Sequence, residues 1–180
     1  MRLFVAVVPP EKVLARLEEA VAPLRDGELR WTEAAGRHLT LAFLGEVGEE
    51  LLPELGERFA RAARRHPPMT LALGGGGRFG DRALWVGVRG ETRALARLAQ
   101  SVRAGAGRAG IPADTKRFRA HLTLARTRPR AGTDLRPYAD ALAGFESGPW
   151  LADEMVLMSS RLGDGPARYR AVGSWPLGRG

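Results

Sequence analysis

The chain contains no cysteine, and it lacks any long hydrophobic run. The absence of cysteine excludes disulfides, iron–sulfur clusters and thiolate zinc sites. The apolar stretch at residues 3–10 is too short to span a bilayer, and no signal-peptide layout precedes it. We therefore expect a cytoplasmic protein with no membrane segment.

Lysine is almost absent, although the chain is strongly basic. Lys12 and Lys116 are the only lysines among 28 basic residues, the net charge is +8 and the sequence pI is about 11.2. Such a charge attracts polyanions, of which nucleic acid is the commonest in a cell. The abundance of arginine, alanine and glycine is equally consistent with a genome-wide compositional bias, so charge alone leaves both interpretations open.

Histidine is also scarce, and two of the three histidines begin identical strings. His38-Leu39-Thr40-Leu41-Ala42 and His121-Leu122-Thr123-Leu124-Ala125 start 83 residues apart in a chain of 180. Each half of the chain also shows strand and helix patterns around its copy. The repeat predicts an α+β fold of two similar lobes related by a pseudo-twofold axis, with residues 1–180 forming one bilobal domain.

Hydrophobic periodicity and breaker residues predict the individual elements. Strands are predicted at residues 2–8, 29–32, 38–44, 69–73, 84–88, 118–125, 155–160 and 169–172, and helices at 13–24, 50–65, 91–108 and 134–143. The glycine run at residues 74–77 lacks the features of a phosphate loop and is predicted to be a flexible turn. Strict alternation places His38, Thr40 and Ala42 on one face, and Phe43 on the opposite, core face.

The repeated string has a specific chemical meaning on a strand. Because side chains alternate, each His and its Thr share a face, and the leucines point into the core. Two such strands would bring together two imidazoles and two hydroxyls. A neutral His can accept a proton from water while a protonated His donates one to a leaving oxygen. Thr40 and Thr123 could donate hydrogen bonds to phosphate oxygens, so the set suits phosphodiester cleavage.

The scheme needs neither a metal nor a cofactor. Neither motif has a second His or a carboxylate at ligand spacing. A single His on a strand is usually a solvated polar residue, but two identical copies are harder to explain in that way. The third histidine, His66, lies where a predicted helix ends and is given no catalytic role.

These residues resemble a known family, the two-histidine phosphoesterases, and within it the bacterial and archaeal RNA 2′,3′-cyclic phosphodiesterases, also called 2′-5′ RNA ligases. The resemblance rests on both His-x-Thr-x motifs and on their flanks, Phe43-Leu44-Gly45 and Ala125-Arg126. Residues 2–6, 159–162 and 167–169 also look like family segments, so nearly the whole chain is covered. Ala120 departs from the proline that often precedes the second motif.

The resemblance implies a bilobal α+β fold in which antiparallel sheets flank a central cleft, with the helices outside and the motifs facing each other across the cleft. It implies hydrolysis of an RNA terminal 2′,3′-cyclic phosphate, or of a nucleoside 2′,3′-cyclic phosphate, to a 2′-phosphomonoester. His38 would protonate the leaving 3′ oxygen, and His121 would activate water. The residues alone do not separate these roles, because the repeat is symmetric. Replacement of water by a 5′ hydroxyl would join RNA ends through a 2′-5′ bond, and we expect a monomer.

Other residues have alternative interpretations. Arg126 could bind the phosphate or anchor the strand end to a carboxylate. Arg117, Arg119, Arg128 and Arg130 could guide the RNA backbone or form a solvated edge. Phe79 and Trp85 could stack on a base or pack in the core. A non-catalytic protein that binds RNA ends is the alternative function.

Overall fold

The computed structural model describes residues 1–112, 114 and 116–178. The helices are α1 (Glu11–Val21), α2 (Leu52–Arg64), α3 (Thr92–Arg108) and α4 (Arg136–Ala141). The strands are β1 (Arg2–Val7), β2 (Leu29–Trp31), β3 (Leu39–Glu46), β4 (Met69–Phe79), β5 (Ala83–Gly90), β6 (His121–Thr127), β7 (Glu146–Ala152), β8 (Glu154–Arg161) and β9 (Arg168–Pro176). No helix in this described part of the chain is long and apolar enough to cross a membrane.

The strands form two antiparallel sheets, one for each lobe. The first sheet has the order β3-β1-β8-β9, and the second has the order β2-β6-β5-β4-β7. The predicted two-lobed α+β fold is therefore confirmed. The lobes are not the two halves of the chain, however, because the closing β8–β9 hairpin joins the N-terminal strands and β2 joins the second sheet.

The internal repeat is visible in the topology. A strand, a helix, a motif strand and a second helix follow one another twice, as β1-α1-β3-α2 and as β5-α3-β6-α4. In each copy the first strand pairs antiparallel with the motif strand. The order β3-β1-β8-β9 then corresponds to β6-β5-β4-β7, with β2 added at one edge. This correspondence is the one that a pseudo-twofold relation requires.

One hydrophobic cluster draws on both sheets and on the helices. Helices α2 and α3 pack against each other and against β9 and β3, whereas α1 packs on β7 and α4 on β4. The cluster contains all four motif leucines, which are Leu39, Leu41, Leu122 and Leu124. Burying a leucine side chain contributes roughly 1.5–3 kcal/mol, so the motif leucines hold both motif strands firmly.

The glycine run is a strand and not the predicted turn. Strand β4 passes directly through Gly74–Gly77 and pairs with β5. A Cβ atom at Gly77 would overlap the indole of Trp85, and one at Gly76 would overlap the carbonyl of Ala139 in α4. The glycines thus let an aromatic ring and a helix lie directly against the backbone of β4.

Strand β7 was not predicted. It contains Ser147, Gly148 and Pro149, which interrupt the hydrophobic alternation that marks a strand. It forms the edge of the second sheet, next to β4, where a missing backbone N–H is tolerated. Its location at an edge explains why so weak a pattern still forms a strand.

Candidate active site

Both motif strands carry a β-bulge at the same position of the repeat. Thr40 lies opposite Ala6 and Ala42 opposite Val5, so Leu41 is the extra residue in β3. In β6, Thr123 lies opposite Trp85 and Ala125 opposite Leu84, so Leu124 is the extra residue. A bulge inserts one residue into one strand, and the side chains beyond it change face.

The bulges bring Phe43 and Arg126 to the His–Thr side of their sheets. Phe43 is 65% exposed and Ala42 is buried, so the prediction that Ala42 shares the His face and that Phe43 lies in the core is wrong. The ring of Phe4 contacts both His38 and Phe43. Arg126, the equivalent of Phe43 in the repeat, is exposed and lies near enough to His121 to lower its pKa.

His38 lies immediately before β3 and is enclosed by aromatic rings. Its imidazole stacks on Phe4, with ring centroids 4.6 Å apart and an interplanar angle of 22°. Tyr169 of β9 meets it edge-on at 5.4 Å. Burial lowers the pKa of His38 to about 4, so this imidazole is neutral at neutral pH in the free protein. Sequence reasoning did not identify these two aromatic contacts.

His121 begins β6 and has a polar partner. Its Nδ1 lies 2.7 Å from the carbonyl oxygen of Arg119. A carbonyl only accepts, so Nδ1 carries the hydrogen and the neutral ring keeps its lone pair on Nε2. Burial lowers the pKa of His121, and the positive charge of Arg126 lowers it further, whereas the bond to Arg119 opposes both effects.

Aromatic rings also surround His121, as they surround His38. Phe79 meets its ring edge-on at 4.9 Å, and Trp85 lies at 6.1 Å. Phe79 and Trp85 also contact each other at 5.4 Å. These two residues therefore form a wall of the His121 site, and each lobe supplies one pair of aromatic side chains to its own histidine.

The two motif strands are neighbours in space. Strands β3 and β6 contact each other across the two sheets. In addition, β2 pairs with β6, and the N–H of Thr32 donates to the carbonyl of Leu124 over 2.8 Å. The chain then runs from Thr32 to His38, so a short connection ties the first motif to the second. The structure thus brings together the two strands that the sequence singled out.

The two predicted threonines occupy equivalent positions. Thr40 and Thr123 are both half-buried, and each follows its histidine on the same face of the strand. Within the described residues, neither hydroxyl makes a hydrogen bond to another part of the protein. Both hydroxyls are therefore able to donate to a ligand that lies between the strands.

Arg37, which sequence reasoning missed, lies directly before His38. It is 2% exposed, and its Nη1 donates to Oε2 of Glu18 over 2.6 Å. Glu18 also pairs with Arg25, whose hydrogen bond is the main cause that lowers the pKa of Glu18. No sequence signal marks a buried arginine, because arginine is almost always exposed unless it is paired. This ion pair links α1 to the segment that leads into the first motif.

The remaining predicted arginines lie at the surface. Arg117, Arg119, Arg128 and Arg130 are all exposed, which is compatible with both predicted interpretations. Among the residues described, no group of three or more His, Asp or Glu side chains is arranged to hold a metal ion.

A two-lobed α+β fold with a duplicated His-x-Thr strand fits the class of two-histidine phosphoesterases, which the motifs resemble. Sequence comparison identifies the family. The profile of the 2′-5′ RNA ligase superfamily matches residues 9–164, and the chain belongs to this family. The RNA 2′,3′-cyclic phosphodiesterase of Escherichia coli is 33% identical over 178 residues, which are 98% of this chain and 96% of the relative. The enzyme of the same name from Thermus thermophilus is 39% identical over 145 residues, or 73% of this chain and 71% of the relative.

Solved structures show the same relationship. A structure described as a phosphoesterase superimposes with a TM-score of 0.84 at 30% identity, and covers 99% of this chain and 98% of its own. Escherichia coli LigT in complex with 3′-AMP gives a TM-score of 0.79 at 30% identity with the same coverage. Similarity at this level extends over both lobes.

Proposed function

We propose that the protein hydrolyses the 2′,3′-cyclic phosphodiester at an RNA end, or in a nucleoside 2′,3′-cyclic phosphate, to a 2′-phosphomonoester. The duplicated motif strand supports this proposal most directly. In each copy a bulge places a histidine, a threonine and one exposed side chain, Phe43 or Arg126, on the same face. The relatives named RNA 2′,3′-cyclic phosphodiesterase support the substrate class.

In the proposed reaction, His121 acts as the base. Its Nε2 takes a proton from water while the water oxygen attacks phosphorus. The bond from phosphorus to the 3′ oxygen breaks, and His38 gives its proton to that oxygen. The hydroxyls of Thr40 and Thr123, together with the charge of Arg126, stabilise the non-bridging oxygens as negative charge develops on them. One proton is taken up and one is released, so a proton must move back to His38 before the next turnover.

Because the pKa of His38 is low in the free protein, the bound phosphodiester must raise it before His38 takes up from solvent the proton that it later donates. A phosphodiester anion beside an imidazole favours the charged form and raises the pKa. Because the imidazole of His38 is half-buried, this interaction is stronger than in solution. The acid is therefore charged only when the negative substrate is present.

Phe43 supplies an exposed ring on the same side as Phe4 and His38. An exposed aromatic side chain beside a phosphate site can stack on a nucleobase, a contribution of about 1–3 kcal/mol per base. We assign this role to Phe43 for the terminal base. The structure of Escherichia coli LigT with 3′-AMP supports a nucleotide-sized site in the family.

A single assay tests the proposal. The protein is incubated with uridine 2′,3′-cyclic phosphate, and the product is identified by its phosphorus NMR signal. The 2′-phosphate is expected, and activity should persist in EDTA. His38→Ala and His121→Ala should each lower kcat by roughly 100- to 10,000-fold, while the variants stay folded by circular dichroism.

Tight binding of phosphate-ended RNA with no turnover by the wild type would favour the alternative, a non-catalytic RNA-end binding protein.

If hydrolysis occurs, we further propose that an RNA 5′ hydroxyl can replace water and give a 2′-5′ bond. We also propose that the protein acts as a monomer in the cytoplasm, which light scattering and cell fractionation would test.

A further inference from the structure

Two arginines lie side by side at the end of the candidate site. In the antiparallel pairing of β2 with β6, Arg30 stands directly opposite Arg126, and both side chains are exposed. Directly opposite residues of paired strands point to the same face. On that face of β6, Thr123 lies opposite Trp85, which contacts His121. Arg30 therefore extends the His121 face by one strand, to the edge of the sheet.

This arrangement has an electrostatic cost in the free protein. Like charges at directly opposite positions of a sheet repel each other and are destabilising. In the described part of the chain, no ion pair connects Arg30 or Arg126 to a carboxylate. The carboxylate in the loop before β5, Asp81, lies 3.6 Å from Arg78. The pair of cations is thus suited to an anion that residues 1–112, 114 and 116–178 do not provide.

The charge of the substrate decides which anion this is. A 2′,3′-cyclic phosphodiester carries one negative charge, and Arg126 lies near enough to His121 to bind that phosphate. Arg30 lies one strand further away, about 4.8 Å across the sheet. An RNA end, in contrast to a mononucleotide, carries a second phosphodiester on the 5′ side of its terminal nucleoside.

Resting on the proposed function, we infer that Arg30 binds this upstream phosphodiester and makes the enzyme selective for oligonucleotide ends over nucleoside cyclic phosphates. Strand β2 is built to present it. Leu29 is buried and Trp31 packs on the core, so Arg30 is the residue of this three-residue strand that points outward. The guanidinium of arginine is well suited to such a contact, because it donates two parallel hydrogen bonds to phosphate.

The test compares two substrates, uridylyl-uridine 2′,3′-cyclic phosphate and uridine 2′,3′-cyclic phosphate. The wild type should turn over the dinucleotide with the higher kcat/KM. Arg30→Gln should lower the ratio of the two kcat/KM values about tenfold, and should reduce the salt dependence of the dinucleotide reaction by about 0.7 in the log–log slope. Arg126→Gln should slow both substrates and keep the ratio. Arg61→Gln, an exposed position on α2, is the control and should change neither substrate.

A ratio that stays within twofold of the wild-type value in Arg30→Gln would overturn the inference. If the wild type turns over neither substrate, the proposed function fails, and calorimetric affinities for the corresponding 2′-phosphate products still test Arg30. In that experiment Arg30→Gln should remove the advantage of the dinucleotide product, and an undiminished advantage would count against the role of Arg30.

Discussion

The two lobes place the same five residues in different surroundings. His121 has a carbonyl on Nδ1 and the positive charge of Arg126 nearby. His38 is stacked on Phe4 beside Tyr169, and its ring makes no hydrogen bond to any described residue. At the equivalent position, five residues after the histidine, the first lobe has Phe43 and the second has Arg126. A symmetric motif thus becomes an asymmetric site through its neighbours.

This difference supports distinct roles for the two histidines. A ring with Nδ1–H held by a carbonyl offers Nε2 as an acceptor, which suits a base. A ring that is desolvated, and that gains charge when an anion arrives, suits an acid. Four experiments test this contrast between the two histidines and their lobes.

The largest effect concerns the leaving group. In a 2′,3′-cyclic substrate whose 3′ oxygen is replaced by sulfur, the leaving thiolate needs no proton, because thiols are far stronger acids than alcohols. His38→Ala should then lose less than tenfold in kcat, against roughly 100- to 10,000-fold with oxygen. His121→Ala should remain as impaired as with oxygen. Stopped-flow detection of the released thiol measures the rates. Equal rescue of both variants would remove the assignment, and rescue of His121→Ala alone would reverse it.

The second prediction concerns stability and pH. The pKa of His38 is about 4 in the folded protein, below its ordinary value of 6.5, so the unfolded chain binds the proton more readily. The contribution of the neutral His38 to the free energy of unfolding is complete above pH 6.5. It is lost as the pH falls towards 4, a total of about 3 kcal/mol. Urea unfolding at pH 7 and pH 4.5 should show a smaller loss in His38→Gln than in the wild type. Parallel losses in the two proteins would contradict the burial of this imidazole.

The third prediction concerns the support of the His38 lobe. Glu18→Gln leaves the buried guanidinium of Arg37 without its counter-charge. Because the Glu18 side chain is 40% exposed, we expect a loss of about 2 kcal/mol in the free energy of unfolding, less than for a fully buried pair. Glu54→Gln, which breaks the surface pair with Arg58, is the matched control and should cost less than about 0.5 kcal/mol. Equal losses in the two variants would show that Arg37 is solvated.

The smallest effect separates Phe43 from Arg126. Phe43→Ala should raise KM about tenfold for a nucleoside cyclic phosphate, since it removes a stacking surface. It should leave a base-free ribose 2′,3′-cyclic phosphate unaffected, whereas Arg126→Ala should slow both compounds. Steady-state kinetics on the two compounds measure this, and a Phe43 effect that persists without the base would exclude stacking.

Much of the site follows from local rules. The period of a strand places each His and its Thr on one face, and the repeat predicts two lobes. The bulges could not be predicted, because they depend on which residue of β1 or β5 lies opposite each motif residue. Strict alternation therefore predicts the wrong faces for Ala42 and Phe43.

Other features depend on contacts between distant elements. The glycine run lies in a strand because β4 pairs with β5, and at Gly76 and Gly77 helix α4 and the indole of Trp85 leave no room for a Cβ atom. The buried position of Arg37 depends on Glu18, 19 residues earlier in the chain. Neither dependence leaves a periodic pattern in the sequence, whereas the motif leucines do. The roles of the histidines and of Arg126 stay predictions that the experiments above address.

The connection from Thr32 to His38 sets an upper limit on the distance between the first histidine and the second sheet. Its beginning is hydrogen-bonded to β6 and its end carries the first histidine. Its six residues can therefore span at most about 20 Å between β6 and His38, even when fully extended. Added residues here would loosen the segment that leads into His38, while the contact of β3 with β6 keeps the two motif strands together. The connection between β8 and β9, at residues 162–167, carries no such constraint and should accept insertions.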